Sequence, residues 1–303
     1  MSRLLAEFYS TPWAIEPAYL RTIEAVLLRW SRGERLTDLE LYNAIGNAPA
    51  QAQARREAAE QTRGVAVIPV YGPIVQRASM QDLSGPGVTS TSQLSKQIRT
   101  VLADRSVDSV ILDIDSPGGS VGGVSELAAE IRAARAEKQI IAHANSFAAS
   151  AAYWLASAAE EIVVTPGGQV GSIGVFAAHE DHSERLSREG ISVSLISAGK
   201  YKTEGNPYEP LSESAREHMQ ATVDQYHADF VGAVADGRGV SSETVRDDFG
   251  QGRMFLAQEA VDRGMADRIE SLDNTIARLR SSDSHRAEFE ARDRALKLES
   301  LST

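Results

Sequence analysis

Short β-rich runs alternate with helical stretches through the middle of this chain, and that alternation limits its fold more than any other feature. "VAVIPVYGPI" (Val65 to Ile74) is β-rich and ends in a turn. "TSQLSKQIRTVLAD" is helical, with Thr91 or Ser92 as the expected N-cap. "VDSVILDID" (Val107 to Asp115) is a buried strand, "SPGGSVGGVSELAAEIRAARAEK" a glycine-rich turn feeding a helix, and "QIIAHAN" another strand. The helix "SAAYWLASAAE", the strands "EIVVTP" and "VGSIGVFA", the helix "SERLSREG" and the strand "ISVSLIS" follow, then a long helix from about Ser212 to Gly237. Strands and helices interleaved at this spacing form parallel βαβ units. Near-continuous Val/Ile runs fit strands covered on both faces.

Flanking this core, "EPAYLRTIEAVLLRWSRGE" places Tyr19, Leu20, Ile23, Val26, Leu27 and Trp30 on one helical face. Ala48 to Gly64 is Ala/Gln-rich and reads as a linker or exposed helix. The expected organisation is an N-terminal helical segment and linker (1–63), a core (64–271) and a C-terminal tail (272–303) expected to be an exposed helix or an interaction tail. The net charge of −11 argues against nucleic acid as a partner, and the absence of cysteine excludes disulfides and thiol chemistry. No run of 18 apolar residues and no signal-peptide core stand out, so the expectation is a cytoplasmic protein without a membrane anchor.

Three segments carry chemistry. In "DIDSPGGSVGG" a strand ends at Asp115 and Pro117-Gly118-Gly119 turns toward a helix. Unpaired backbone N–H groups at such a turn suit an oxyanion or a phosphate, although glycine-rich strand-to-helix turns often have no role beyond turning. In "SFAASAAYW", Ser150 follows a strand and opens a helix, where ligand sites of α/β sheets sit. A helix cap is the simpler role for an isolated serine there. A nucleophile needs a base. His143, His179, His182, His218, His227 and His285 form no motif with it, though triad members need not be close in sequence. Lys200 and Lys202, in "SAGKYKTEGNPYEPLSE", supply a Ser-Lys alternative, or are solvated loop charges.

"DSPGGSVGG", "SFAASAAYWLASAAEEIVVTPGGQVGSIGV", "GKYKTEGNPYEPLSE" and "GRMFLAQEAVDRGMADRI", in this order, resemble the S49 peptidase family over about Val65 to Glu270. That family includes signal peptide peptidase A and phage capsid-maturation proteases. The resemblance implies an α/β, ClpP/crotonase-like fold of stacked βαβ units, and a serine endopeptidase with a Ser-Lys dyad. Ser150 matches the nucleophile and Lys202 the base, with Lys200 second. Gly119 and Ala151 match the oxyanion donors through their N–H groups. Gly118 and Ser172 are supporting positions, Ser172 as a hydroxyl that orients the lysine. No metal and no cofactor are implied.

"EPAYLRTI" and "GVFAAHEDHSERLSREGI" resemble the phage minor capsid protein C subgroup, in which a scaffolding region often follows the protease. The implied substrates are capsid, scaffold or portal proteins. The implied setting is the host cytoplasm or the procapsid, and the implied assembly a homo-oligomer. The alternatives are a degradative peptidase like signal peptide peptidase, a capsid component that has lost activity, and a crotonase-type acyl-CoA enzyme. The last would need carboxylates where the chain has Ser150. A dyad lysine must be neutral near pH 7, so Val and Ala side chains are expected to wall it from water.

Overall fold

The computed structural model describes Phe8 and residues 11–32, 34, 64–76 and 88–281. The proposed linker before Gly64 and the tail beyond 281 lie outside the described residues. The chain opens with β1 (Trp13–Ile15) and α1 (Pro17–Ser31), then β2 (Gly64–Tyr71), β3 (Ile74–Val75), β4 (Thr89–Ser90) and α2 (Thr91–Ala103). It continues with β5 (Val107–Ser116), β6 (Gly118–Ser120), α3 (Val124–Ala134), β7 (Gln139–Ala149), α4 (Ala151–Ser157), β8 (Glu161–Val164) and β9 (Gln169–Gly171). Last come α5 (Ser183–Arg188), α6 (Glu213–Arg238), α7 (Ser242–Asp248), β10 (Met254–Leu256), α8 (Ala257–Asp262), β11 (Arg268–Ile269) and helix α9, residues 272–281.

The alternation read from the sequence becomes a main sheet in which β2, β5 and β7 run parallel, with β8 and β9 following one another along the far edge of β7. β10 closes the β9 side antiparallel, and β11 extends β8 in parallel. A small second sheet, in the order β1-β6-β3-β4, stands at the C-terminal ends of the main strands.

Alternate residues of the main strands face opposite ways, so each strand feeds two cores. Ile68, Val70, Val110, Leu112, Ile140 and Ala142 meet α2, α3, α4 and α6 on one side. There Trp154 of α4 stacks on Phe230 of α6, with ring centroids 4.7 Å apart. Val65, Ile111, Ile141 and Val163 face the other way and are covered by Leu272, Ile276 and Leu279 of α9. The start of the tail is therefore a packed helix rather than an exposed one, pinned by Arg278 on Glu161 and Glu270 at 3.0 and 3.1 Å. The sparse apolar residues of that tail recur at helical spacing, enough for one narrow stripe.

Three local readings are corrected. The N-cap of α2 is Ser90, whose Oγ accepts from the Gln93 N–H, because β4 delivers the chain extended up to that residue. The run "VGSIGVFA" is a strand only to Gly171, since Ser172 turns at φ 56°. "ISVSLIS" forms no strand. Ile191, Val193, Leu195 and Ile196 are 49, 42, 46 and 99% exposed, so alternation is present without a sheet to receive it. Among the described residues no helix is long and apolar enough to cross a membrane.

Candidate active site

Ser150 sits at the junction of β7 and α4. β7 runs to Ala149, well past the strand read from the sequence, because Phe147 to Ala149 pair with β9. The chain then turns in one residue, with Ser150 at φ 55° and ψ −120°. A non-glycine residue there stores about 1–3 kcal/mol of strain. The strain is held by main-chain bonds on both sides. The Ser150 N–H donates to Gly171 O at 2.8 Å, and the Trp154 N–H donates to Ser150 O at 2.9 Å. The Ser150 side chain makes no capping bond to α4, so the simpler role for this serine fails. Its Oγ instead donates to Gly174 O at 3.4 Å.

Gly118 and Gly119 close the other side. A methyl group on Gly118, which has φ 91°, would lie 2.9 Å from Ser150 Cβ and 2.3 Å from Ala14 O. One on Gly119 would lie 1.9 Å from Ile74 O. Here the glycines serve close approach of backbones, and Gly118-Gly119 is a strand of the small sheet rather than a plain turn. Ser116 Oγ donates to Gly72 O at 2.7 Å and accepts from the Gly118 N–H at 3.2 Å, which fixes the bend before β6.

Ser172 follows Gly171 into the same corner, with its N–H on Arg253 O at 2.8 Å. Its hydroxyl donates to Glu16 Oε2 at 3.3 Å. The structure therefore brings Ser150, Ala151, Gly118, Gly119 and Ser172 together, and adds Glu16 and Ala14 from the N-terminal segment. Sequence reasoning missed these two because it set that segment apart from the core, and no local pattern ties Glu16 or Ala14 to a serine as far along the chain as Ser150.

The lysines are placed differently. Lys202 is exposed in the loop after "ISVSLIS", with its backbone N–H on Gly199 O at 3.1 Å. Lys200 is also exposed, its Nζ 4.8 Å above the Tyr201 ring. Neither ammonium has a hydrogen-bond or ion-pair partner among the described residues, and no apolar wall encloses either. Beside the corner opens a cavity of about 390 Å³, lined by Pro12, His179, His182, Gly205, His218 and Met219 among others. Among the described residues no cluster of His, Asp or Glu could hold a metal ion.

The sequence model described as peptidase family S49 matches residues 132–285, just over half of the chain. Capsid assembly protease C of Escherichia phage lambda is 32% identical over 287 residues, covering 90% of this chain and 64% of that protein. Head-tail preconnector protein GP5 of Enterobacteria phage P21 is 30% identical over 293 residues, covering 91% of this chain and 56% of that protein. The chain thus spans between half and two thirds of the length of these relatives. A solved chain of a ClpP1 mutant from Listeria monocytogenes aligns with 75% of this chain and 99% of its own at 16% identity, with a TM-score of 0.43.

Proposed function

The chain belongs to peptidase family S49, and from that premise we propose that it is a serine endopeptidase acting on proteins of a phage head. The observation that carries this reading is the strained Ser150 at the end of β7, with the backbone of Gly118 against its Cβ and no capping duty. A nucleophile needs that kind of over-determined position.

In this reading Ser150 Oγ attacks the scissile carbonyl, and neutral Lys202 takes the hydroxyl proton. The N–H groups of Gly119 and Ala151 receive the negative charge that forms on the carbonyl oxygen, each worth ~3 kcal/mol. Lys202 returns the proton to the leaving amine, which departs. A water then gives a proton to Lys202 as its oxygen adds to the acyl carbon. The Oγ–carbon bond breaks, Lys202 passes that proton to the departing Ser150 Oγ, and the peptide acid leaves with the serine and the neutral amine restored.

Lys202 lies on an exposed loop that also presents Ile191, Val193, Leu195 and Ile196 to solvent. The proposal assigns the missing walls to a second copy: in a homo-oligomer this loop packs on a neighbour, and its lysine enters the neighbour's site. The neighbour's apolar side chains would there supply the walls that a neutral amine base requires. The names of the two phage relatives, a capsid assembly protease and a head-tail preconnector protein, support proteins of a phage head as substrates.

The test is hydrolysis of fluorescein-labelled casein. Wild-type protein releases fluorescence, while Ser150→Ala and Lys202→Ala each lose at least ~10³-fold with unchanged melting temperature. Undiminished hydrolysis by Ser150→Ala would remove the serine from the mechanism. Full activity in Lys202→Ala would pass the base to Lys200 or a histidine.

A further inference from the structure

A serine that attacks polypeptide must be reachable, yet Ser150 is only 1% exposed. What lies against it is the chain's own N-terminal strand. β1 is inserted between two strand-like segments, β6 on one side and Phe176 on the other. Trp13 exchanges both main-chain bonds with Phe176, at 2.8 and 2.9 Å. Toward β6 the Glu16 N–H donates to Pro117 O at 2.8 Å, and the Val121 N–H donates to Pro12 O at 3.3 Å.

These two bonds set the phase of the ladder. Hydrogen-bonded pairs recur every second residue in an antiparallel pairing. Pro12 with Val121 and Glu16 with Pro117 are such pairs, so the pair midway between them, Ala14 with Gly119, is one too. The Gly119 N–H, the group assigned to the oxyanion, is thus opposite the Ala14 carbonyl. The same carbonyl oxygen and Ser150 Cβ both crowd the point where Gly118 would carry a methyl.

We infer that Pro12–Glu16 is an intrachain mimic of the substrate, held with the Ala14 carbonyl where a scissile carbonyl would sit, and that it closes the site until it is displaced. This rests on the reading of Ser150 as the nucleophile. An extended polypeptide competes for the place because the occupant is held through a main-chain ladder that any extended chain can form. The occupant has few ties to the core. Trp13 and Ile15 pack with Phe8 and with Tyr19, Leu20, Ile23 and Leu27 of α1, in a cluster that also meets Phe176 and, through Tyr19, Phe147 of β7. Ala14 alone of β1 reaches into the main core. Swinging β1 and α1 out together therefore withdraws one methyl group from the core of α2, α3, α4 and α6 and parts Tyr19 from Phe147. The cavity that begins at Pro12 gives the incoming chain a place for side chains on the N-terminal side of the bond to be cut.

The experiment locks the occupant in place. Trp13 and Ser120 face each other as a non-hydrogen-bonded pair, the closer-spaced kind, within disulfide reach. The chain has no cysteine to compete. In Ser150→Ala protein carrying Trp13→Cys and Ser120→Cys, binding of a fluorescein-labelled peptide of residues 10–18 is read by anisotropy, oxidised and then reduced. The reduced form binds, and the oxidised form binds at least about tenfold more weakly. Equal anisotropy in the two forms overturns the inference: binding in both shows that β1 does not cover the peptide's place, and binding in neither makes β1 a permanent wall.

With Ser150 intact, casein hydrolysis by the same pair of forms separates the two readings. Binding that differs with no hydrolysis in either form removes the nucleophile and keeps the occupant. Hydrolysis at equal rates in both removes the occupant and keeps the nucleophile. Should the double-cysteine chain not fold, Trp13→Ala in Ser150→Ala protein takes its place. It strips the occupant's anchor and binds the peptide about tenfold more tightly than Ser150→Ala alone, and unchanged or weaker binding counts against the inference.

Discussion

The corner around Ser150 and the loop carrying Lys202 are opposites. Ser150, Gly118, Gly119 and Ser172 are buried; main-chain bonds to Gly171 and Arg253 fix the two serines, and the Ser150 hydroxyl is bonded to Gly174. Lys200 and Lys202 stand in solvent on a loop with four exposed aliphatic side chains and no sheet partner. One half of the proposed dyad is built by a single chain, and the other half is left open. The base of such a dyad needs apolar walls around it, and this loop supplies none by itself. In the proposed mechanism such a divided site is inactive until its second half arrives, and the inferred hold of the N-terminal strand on the first half adds a second restraint.

After loss of the serine or the lysine itself, the largest effect is expected where backbones crowd the serine. Gly118→Ala forces a methyl into the Ala14 carbonyl and Ser150 Cβ. Casein hydrolysis should fall by about 10²-fold or more, since small displacements of a reacting group cost that much. Wild-type activity in this variant would mean that the corner is not the site.

Next comes the division itself. Ser150→Ala and Lys202→Ala proteins, each inactive, should recover up to about a quarter of wild-type hydrolysis when unfolded together and refolded as mixed oligomers. No recovery would place both residues of the dyad within one chain and end the contrast between the two regions.

A smaller, purely structural effect tests whether the buried half is rigid through its packing. Trp154→Ala removes the ring stacked on Phe230 beneath the Ser150 turn. Urea denaturation should show a loss of about 3–5 kcal/mol. A loss below 1 kcal/mol would mean that α4 is held by something else.

The smallest effect concerns the same strand on its other face. His143 of β7 is fully buried, with Nε2 against Glu270 O at 3.1 Å. Burial pushes its pKa below the ordinary value, against the pull of Asp113. The proton then binds the unfolded chain better, so the stability it contributes is complete above pH ~6.5 and declines as pH falls below it. Asp267, held below the usual carboxylate range against its own burial by Arg238 at 2.6 Å, adds a loss only near pH 4 and lower. Melting temperature should therefore decline from pH 7 to pH 5, and His143→Gln should flatten that slope. An equal slope in both proteins would assign the decline to other groups.

Much of this was legible residue by residue. Buried strands such as Val107–Ser116 declare themselves through composition, and Ser150, Gly118 and Gly119 through their place between a strand and the next element. The segment "ISVSLIS" misled because alternation records one apolar side to be covered, not what covers it. The tail beyond Leu272 misled in the opposite sense, since a single stripe of Leu272, Ile276 and Leu279 is enough to seat a helix on a sheet.

The sequence by itself determined the layered α/β order, the serine at the end of β7 and the family. These follow from local periodicity and from short motifs whose members are neighbours in the chain. Only the tertiary structure decided that Ser150 turns at φ 55° without capping α4. It alone brought Glu16 to Ser172, laid Ala14 opposite Gly119, and left Lys202 in solvent. Those facts depend on contacts between segments more than a hundred residues apart, or on a surface that one chain does not cover, and no local pattern records either.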